Sequence, residues 1–128
     1  MKKTLLLAAA LALACSGAVA QEKEIWACQQ TEGTMLNWED GAWRQRAISP
    51  SPILLTIDGK NSSYKMGDNE NELDCSFYGV TRCVSSATHL LIDKATGRMG
   101  LSHLLGALMS SSERRDSVSA EIYICTKF

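Results

Sequence analysis

The chain has 128 residues, of which 45% are hydrophobic, and its formal net charge is −1 at pH 7. This length suits one domain with a modest hydrophobic core. The nearly balanced charge excludes the strongly basic footprint of a nucleic-acid-binding protein. We therefore expect a single small domain with no nucleic-acid partner.

The first twenty residues have the three regions of a secretory signal peptide. Met1-Lys2-Lys3 is basic, the run from Leu5 to Ala14 is apolar, and Ala18-Val19-Ala20 supplies small residues for cleavage. The apolar run is too short to span a bilayer. We predict a bacterial signal peptide at 1–20 and a single exported β domain at 21–128, periplasmic or secreted, with no transmembrane segment after cleavage.

Cleavage after residue 20 would leave 108 residues with 11 basic and 14 acidic side chains, a formal charge of −3. Cys15 leaves a second hypothesis open, because a cysteine behind an apolar stretch is the acylation position of bacterial lipoproteins. In the lipoprotein signal a leucine usually precedes the cysteine by three residues, whereas here Leu13 precedes Cys15 by two. The minor alternative is therefore a lipoprotein anchored through Cys15.

The predicted domain keeps four cysteines, an even number that is typical of two disulfides in an oxidising compartment. Cys28 and Cys125 fall in the first and last predicted strands, and Cys75 and Cys83 bracket a short segment. Three connectivities are possible, and we favour Cys28 with Cys125 and Cys75 with Cys83. No Cys-x-x-Cys motif supports a zinc site or a redox pair.

Asp40-Gly41 between two strand-like segments predicts a two-residue hairpin turn. In that register Glu39 faces Ala42, and Trp38 lies opposite Trp43 in a pair whose side chains approach closely. Aromatic side chains on a sheet serve either as core or as a binding surface. We expect the tryptophans mainly to supply core, with the Trp38–Trp43 pair as a possible binding surface and Trp43 partly exposed.

Upstream of this turn, the segment from Glu24 to Gln30 is typical of a strand, and Thr31-Glu32-Gly33 of a three-residue hairpin loop. That loop would place Trp26 opposite Trp38 and align all three tryptophans in one row. A two- or four-residue loop would instead turn Trp26 to the other face, since side-chain direction has period two.

Downstream, the segment from Trp43 to Ile48 is the second arm of the hairpin, with Arg44 and Arg46 on the face opposite the tryptophans. Ser49-Pro50-Ser51-Pro52 ends this strand, because proline donates no backbone hydrogen bond. The next strands are predicted from Ile53 to Ile57 and, after an Asp58-Gly59 turn, from Lys60 to Met66.

The most polar segment, from Gly67 to Asp74, is predicted to be a solvated loop. It carries a weak calcium candidate made of four carboxylates at alternate positions, Asp68, Glu70, Glu72 and Asp74. Carboxylate oxygens suit calcium, but the glycine and the final glutamate of an EF-hand loop are missing. We expect no metal here.

The last third of the chain contains one ambiguous segment, from Arg98 to Ser110. Four leucines fall at helical spacing, yet the segment follows a tight turn at Lys94-Ala95-Thr96-Gly97 and leads into a strand from Ser117 to Lys127. We predict a strand, with a short helix near 101–109 as the alternative. The fold expected is all-β, an antiparallel meander of seven or eight strands closing into a barrel or sandwich; the alternative is α+β.

Candidate catalytic groups are few. His89 and His103 share a face only in one of two registers, and two histidines fall short of a zinc site. The serines lack a Gly-x-Ser-x-Gly nucleophile motif. We expect no enzyme and no cofactor.

By architecture alone, the chain looks like the small exported bacterial β domains that include periplasmic lysozyme inhibitors and lipocalin-like binders, and no motif assigns it to either. We expect a monomeric, non-enzymatic protein that binds or inhibits a macromolecular partner in the cell envelope. The alternative is a lipocalin-like barrel that binds a small ligand, although about 108 residues leave little room for both a core and a cavity.

Overall fold

The computed structural model describes residues 22–105 and 117–128, so the predicted signal peptide and Cys15 lie outside the described residues. These residues form antiparallel strands and one 3₁₀ turn, Gly59–Asn61. The strands are β1 Glu24–Glu39, β2 Ala42–Ala47, β3 Ile53–Ile57, β4 Ser62–Met66, β5 Asn69–Tyr78, β6 Val80–Val84, β7 Thr88–Asp93, β8 Arg98–Leu105 and β9 Ser117–Lys127.

Eight of the strands close into a barrel. Strands β3 to β9 form a meander, and β1 pairs with both β3 and β9, so that Cys28 lies opposite Ile53 on one side and Cys125 on the other. The ninth strand, β2, pairs with β1 alone. The all-β meander is confirmed, and of the two predicted closures the structure has the barrel.

The ambiguous C-terminal segment is a strand as far as Leu105, so a helix over 101–105 is wrong. Its leucines match helical spacing, but β7 and β9 offer backbone partners on both sides of β8. The remainder of the predicted segment, 106–110, lies outside the described residues. Pairing with β7 and β9 therefore favours the strand over the helix that the leucine spacing also allows.

The barrel interior is filled with large side chains. Leu55, Ile57, Leu90, Ile92 and Tyr123 are fully buried, and each alternates along its strand with an outward-facing neighbour. Fully burying one such aliphatic side chain contributes about 1.5 to 3 kcal/mol, so this layer contributes substantially to the stability of the barrel.

Both predicted disulfides are present as directly opposed cross-strand pairs. Cys28–Cys125 joins the first and last strands, and Cys75–Cys83 staples β5 to β6. The first bridge spans 97 residues of sequence and closes the barrel, whereas the second spans 8.

The three-residue hairpin predicted at Thr31-Glu32-Gly33 is wrong, and with it the row of three tryptophans. Strand β1 continues through this segment, with a bulge between Gln30 and Glu32 where it pairs with β9. Trp26 therefore lies opposite Leu55 and is buried in the core, away from Trp38. The reason is that β9 is long enough to pair with both halves of β1.

Gly33 has a packing role in place of the turn expected of it. A Cβ at this position would lie 2.4 Å from the Gln30 side-chain amide and 3.2 Å from the Glu121 side chain. Glycine lets the bulged strand approach these two interior side chains closely.

The hairpin between β1 and β2 has the predicted register. Asp40 and Gly41 both have positive φ, 52° and 79°, as a type I′ turn requires. Trp38 lies opposite Trp43, with ring centroids 5.4 Å apart in an edge-to-face arrangement. Arg46 is on the other face, where it forms an ion pair with Glu39.

The loop predicted from Gly67 to Asp74 is also wrong beyond its first two residues. Gly67 and Asp68 make a tight turn, and strand β5 begins at Asn69. Polar composition does not prevent a strand here, because β4 supplies the backbone partners and residues 69–72 are exposed.

Candidate binding surface

Strand β9 has an inverted side-chain pattern. Its apolar set faces outward, with Ile122 and Ile124 exposed by 45% and 46%, while Ser119, Glu121 and Tyr123 face the interior. In most half-buried strands the apolar residues face the core. Contiguous exposed apolar side chains are typical of an interaction surface.

The outward residues of three neighbouring strands continue this surface. Leu91 on β7 lies opposite Gly100 on β8, which in turn lies opposite Ile122 on β9. Because glycine has no side chain, the row has a gap between leucine and isoleucine. The gap opens into a groove of about 480 Å³, which Ser102 and Ala120 extend.

Gly100 is not required by the backbone. A Cβ built there meets no atom within 4 Å, and its φ lies outside the left-handed region. A glycine in a strand weakens the fold by about 0.5 to 1 kcal/mol relative to alanine. The open floor of the groove is therefore kept at a cost in stability.

The outer surface extends along β1 to the hairpin. Leu36 is opposite Val118, and Val118 is opposite Leu104, all on the outer face. Trp43 lies on the same face, 42% exposed. We call the apolar and small outward residues of β7, β8, β9 and this end of β1 the outer apolar face; they are Leu36, Leu91, Gly100, Ser102, Leu104, Val118, Ala120, Ile122 and Ile124.

The polar groups that β9 turns inward satisfy one another. Glu121, only 6% exposed, accepts hydrogen bonds from the Ser119 hydroxyl at 3.1 Å and from the Tyr123 hydroxyl. Burial raises the pKa of Tyr123 well above its ordinary value, and the neighbouring Glu121 carboxylate raises it further. A buried carboxylate without partners would be strongly unfavourable. The hydrogen bonds from Ser119 and Tyr123 therefore allow Glu121 to face the barrel interior.

His103 lies at the edge of this cluster. Its Nδ1 is 3.0 Å from the Thr88 hydroxyl, and its ring centroid is 6.1 Å from that of Tyr64. Burial lowers the pKa of His103 below its ordinary 6.5, and the charge of Glu121 opposes this effect only in part.

We predict that His103 makes stability fall on mild acidification. The unfolded chain binds a proton more readily than the fold does, so the free energy of unfolding is fully present above pH 6.5 and declines as the pH falls towards the lower folded pKa of His103. Denaturant unfolding between pH 7.5 and 5 measures the decline. His103→Gln should reduce it, whereas His89→Gln, on the exposed outer face, should leave it unchanged; an unchanged decline in His103→Gln would contradict the assignment.

The two histidines are on opposite faces of the sheet. His89 pairs with Ser102 and is exposed on the outer wall, whereas His103 pairs with Thr88 and faces inward. The four-residue turn after Asp93 sets this register, which was one of the two alternatives.

The acidic calcium candidate is spread along β5. Asp68 is in the turn, Glu70 lies opposite Lys65 and accepts a hydrogen bond from Ser63 at 2.8 Å, and Glu72 and Asp74 are exposed farther along the strand. In residues 22–105 and 117–128, no group of three or more His, Cys, Asp or Glu side chains is placed to hold a metal ion.

The sequence analysis names the hairpin pair Trp38 and Trp43 as a candidate binding surface and does not identify the outer apolar face beside it. The signal was the alternation in β9: once Cys125 is paired with Cys28 inside the barrel, Ile122 and Ile124 must face outward. In the described part of the chain, no helix is long and apolar enough to cross a membrane. Comparison with protein families, curated proteins and solved structures finds no match for this chain.

Proposed function

We propose that this is a non-enzymatic, exported protein that binds another protein through its outer apolar face. The observation that carries the proposal is the inverted alternation of β9, which places Ile122 and Ile124 in solvent beside the open groove at Gly100. The two disulfides suit the oxidising compartment that export would provide.

A protein partner fits this surface better than a small ligand does. The barrel axis is occupied by fully buried side chains such as Leu55, Leu90 and Tyr123, where a lipocalin-like barrel would hold its ligand. The groove instead lies on the outer wall and is continuous with further exposed apolar side chains. An apolar side chain of a partner would fill the gap between Leu91 and Ile122 as a buried anchor.

Gly100→Val is expected to separate binding from stability. Valine suits a strand better than glycine, and a Cβ at this position meets no atom within 4 Å, so the free energy of unfolding should rise by about 0.5 to 1 kcal/mol. The same side chain fills the groove and should abolish partner retention. The measurement compares immobilised wild type and Gly100→Val in extract of the native host, with retained proteins quantified by mass spectrometry.

The control is Ser63→Val, which adds an outward valine on β4, across the barrel from β8, and removes the Ser63 hydrogen bond to Glu70 on that wall. It should retain the same partner as the wild type. Identical sets of retained proteins for wild type and Gly100→Val would contradict the proposed function.

A further inference from the structure

Strand β2 is an open edge beside the outer apolar face. It pairs with β1 on one side only, and all six of its residues, Ala42–Ala47, are exposed. On the other side of β1 the described residues leave no open edge, because β9 pairs with β1 and also with β8. An open edge offers unpaired backbone groups to an added strand.

The register identifies which backbone groups are free. The two-residue turn makes Glu39 and Ala42 a hydrogen-bonded pair, so Arg44 and Arg46 also direct their N–H and C=O groups towards β1. The intervening residues, Trp43, Gln45 and Ala47, direct theirs to the opposite side. Three donors and three acceptors are therefore aligned along the free edge.

The two faces of this edge differ in chemistry. Arg44 and Arg46 lie on one face, and Trp43 lies on the other, continuous with Leu36 of the outer apolar face. Arg46 is paired with Glu39, and the charge of Arg44 also acts on the Glu39 carboxylate, so this face carries two guanidinium groups beside one carboxylate. Side chains of an added strand would alternate between the two faces. Every second one would lie next to the guanidinium groups, and those between would lie next to Trp43.

We infer that β2 binds an extended segment of the partner protein in which acidic and apolar side chains alternate. Carboxylates of the added strand bind Arg44 and take the place of Glu39 at Arg46, since guanidinium groups bind carboxylates through two parallel hydrogen bonds. The apolar side chains pack beside Trp43. The inference deepens the proposed function and rests on it, because it supplies the backbone contact for the same protein partner.

The probe is a synthetic peptide of eight residues in which glutamate and valine alternate. Titration of the labelled full domain, followed by amide NMR and hydrogen exchange, should protect the amides of Trp43, Gln45 and Ala47 several-fold, because these groups are free before binding. The amides of Arg44 and Arg46 already bond to β1 and should change little. A peptide of the same composition with its glutamates and valines in separate blocks should not bind.

Two variants test the mechanism. Gln45→Pro removes one outward N–H while leaving the bonds to β1 intact, and should weaken peptide binding about tenfold. Gln45→Ala, which removes only the side chain and its hydrogen bond to Thr34, is the matched control and should bind as the wild type does. The double variant Arg44→Glu with Arg46→Glu should lose the acidic peptide and bind one in which lysine alternates with valine.

No protection of Trp43, Gln45 and Ala47 at millimolar peptide would overturn the inference. So would protection that needs no peptide and grows with protein concentration, because the occupant would then be a second copy of the chain. The peptide titration uses no natural partner and the Gly100→Val comparison uses no peptide, so the edge and the groove can each fail separately.

Discussion

Replacing both Cys28 and Cys125 with alanine is expected to lower the free energy of unfolding by about 4 to 5 kcal/mol, most or all of the stability of a domain this size. The bridge spans 97 residues and joins the two strands that close the barrel. Without the bridge, the 97 residues that it spans are no longer held in a closed loop in the unfolded chain, whose entropy therefore rises. Denaturant unfolding followed by tryptophan fluorescence measures the loss.

The control is the second bridge, Cys75–Cys83, which spans 8 residues within one hairpin. Its replacement by two alanines should cost about 2 to 3 kcal/mol in the same chain-entropy treatment. Losses of equal size for the two pairs would show that loop length does not set their contributions.

Gly97→Ala is expected to cost about 3 kcal/mol or more. Gly97 is buried in the turn before β8, with φ at +71°, and a Cβ there would lie 2.2 Å from the backbone oxygen of Cys125. Cys125 also donates its backbone N–H to the Gly97 oxygen at 2.7 Å, so the two segments cannot separate without losing that bond. The left-handed conformation contributes about 1 to 2 kcal/mol, and the overlap adds the rest.

Gly41→Ala separates these two causes. Gly41 has a similar φ of +79°, but a Cβ there meets no atom within 4 Å. It should therefore show the conformational cost alone, about 1 to 2 kcal/mol. Equal unfolding midpoints for Gly41→Ala and Gly97→Ala would contradict the close approach at Cys125.

Much of the fold follows from local signals in the sequence. Asp40-Gly41 determines the register of its hairpin because few turns fit two residues with positive φ. The disulfides follow from the positions of Cys28 and Cys125 in terminal strands, since a closed meander brings its first and last strands together. The alternation of apolar and polar residues from Ser117 to Lys127 predicted strand β9 correctly, because side chains of a strand point to its two faces in turn.

The errors arose where a partner strand overrides the local signal. Gly33 resembles a turn residue, yet β9 continues the ladder past it and uses its missing side chain for packing. The acidic segment around Glu70 resembles a loop, yet β4 holds it as a strand. Both outcomes depend on contacts between residues far apart in sequence, which composition and periodicity do not contain.

The candidate surface was hidden for a related reason. Ile122 and Ile124 are typical core residues, and only the closed barrel shows that Glu121 and Tyr123 occupy the interior in their place. Gly100 likewise gains its meaning from its position between Leu91 and Ile122 on adjacent strands. Together with the open edge of β2, these residues form the surface through which we propose that a protein partner binds.

The most direct test of this account is photo-crosslinking in the native host. A photoreactive amino acid at Ser102 lies in the groove, and the same amino acid at Lys65 lies on β4, across the barrel. The account predicts one discrete covalent adduct with a protein from Ser102, none from Lys65, and loss of the adduct when Gly100→Val is added. Equal adducts from both positions, or only small-molecule adducts from Ser102, would contradict it.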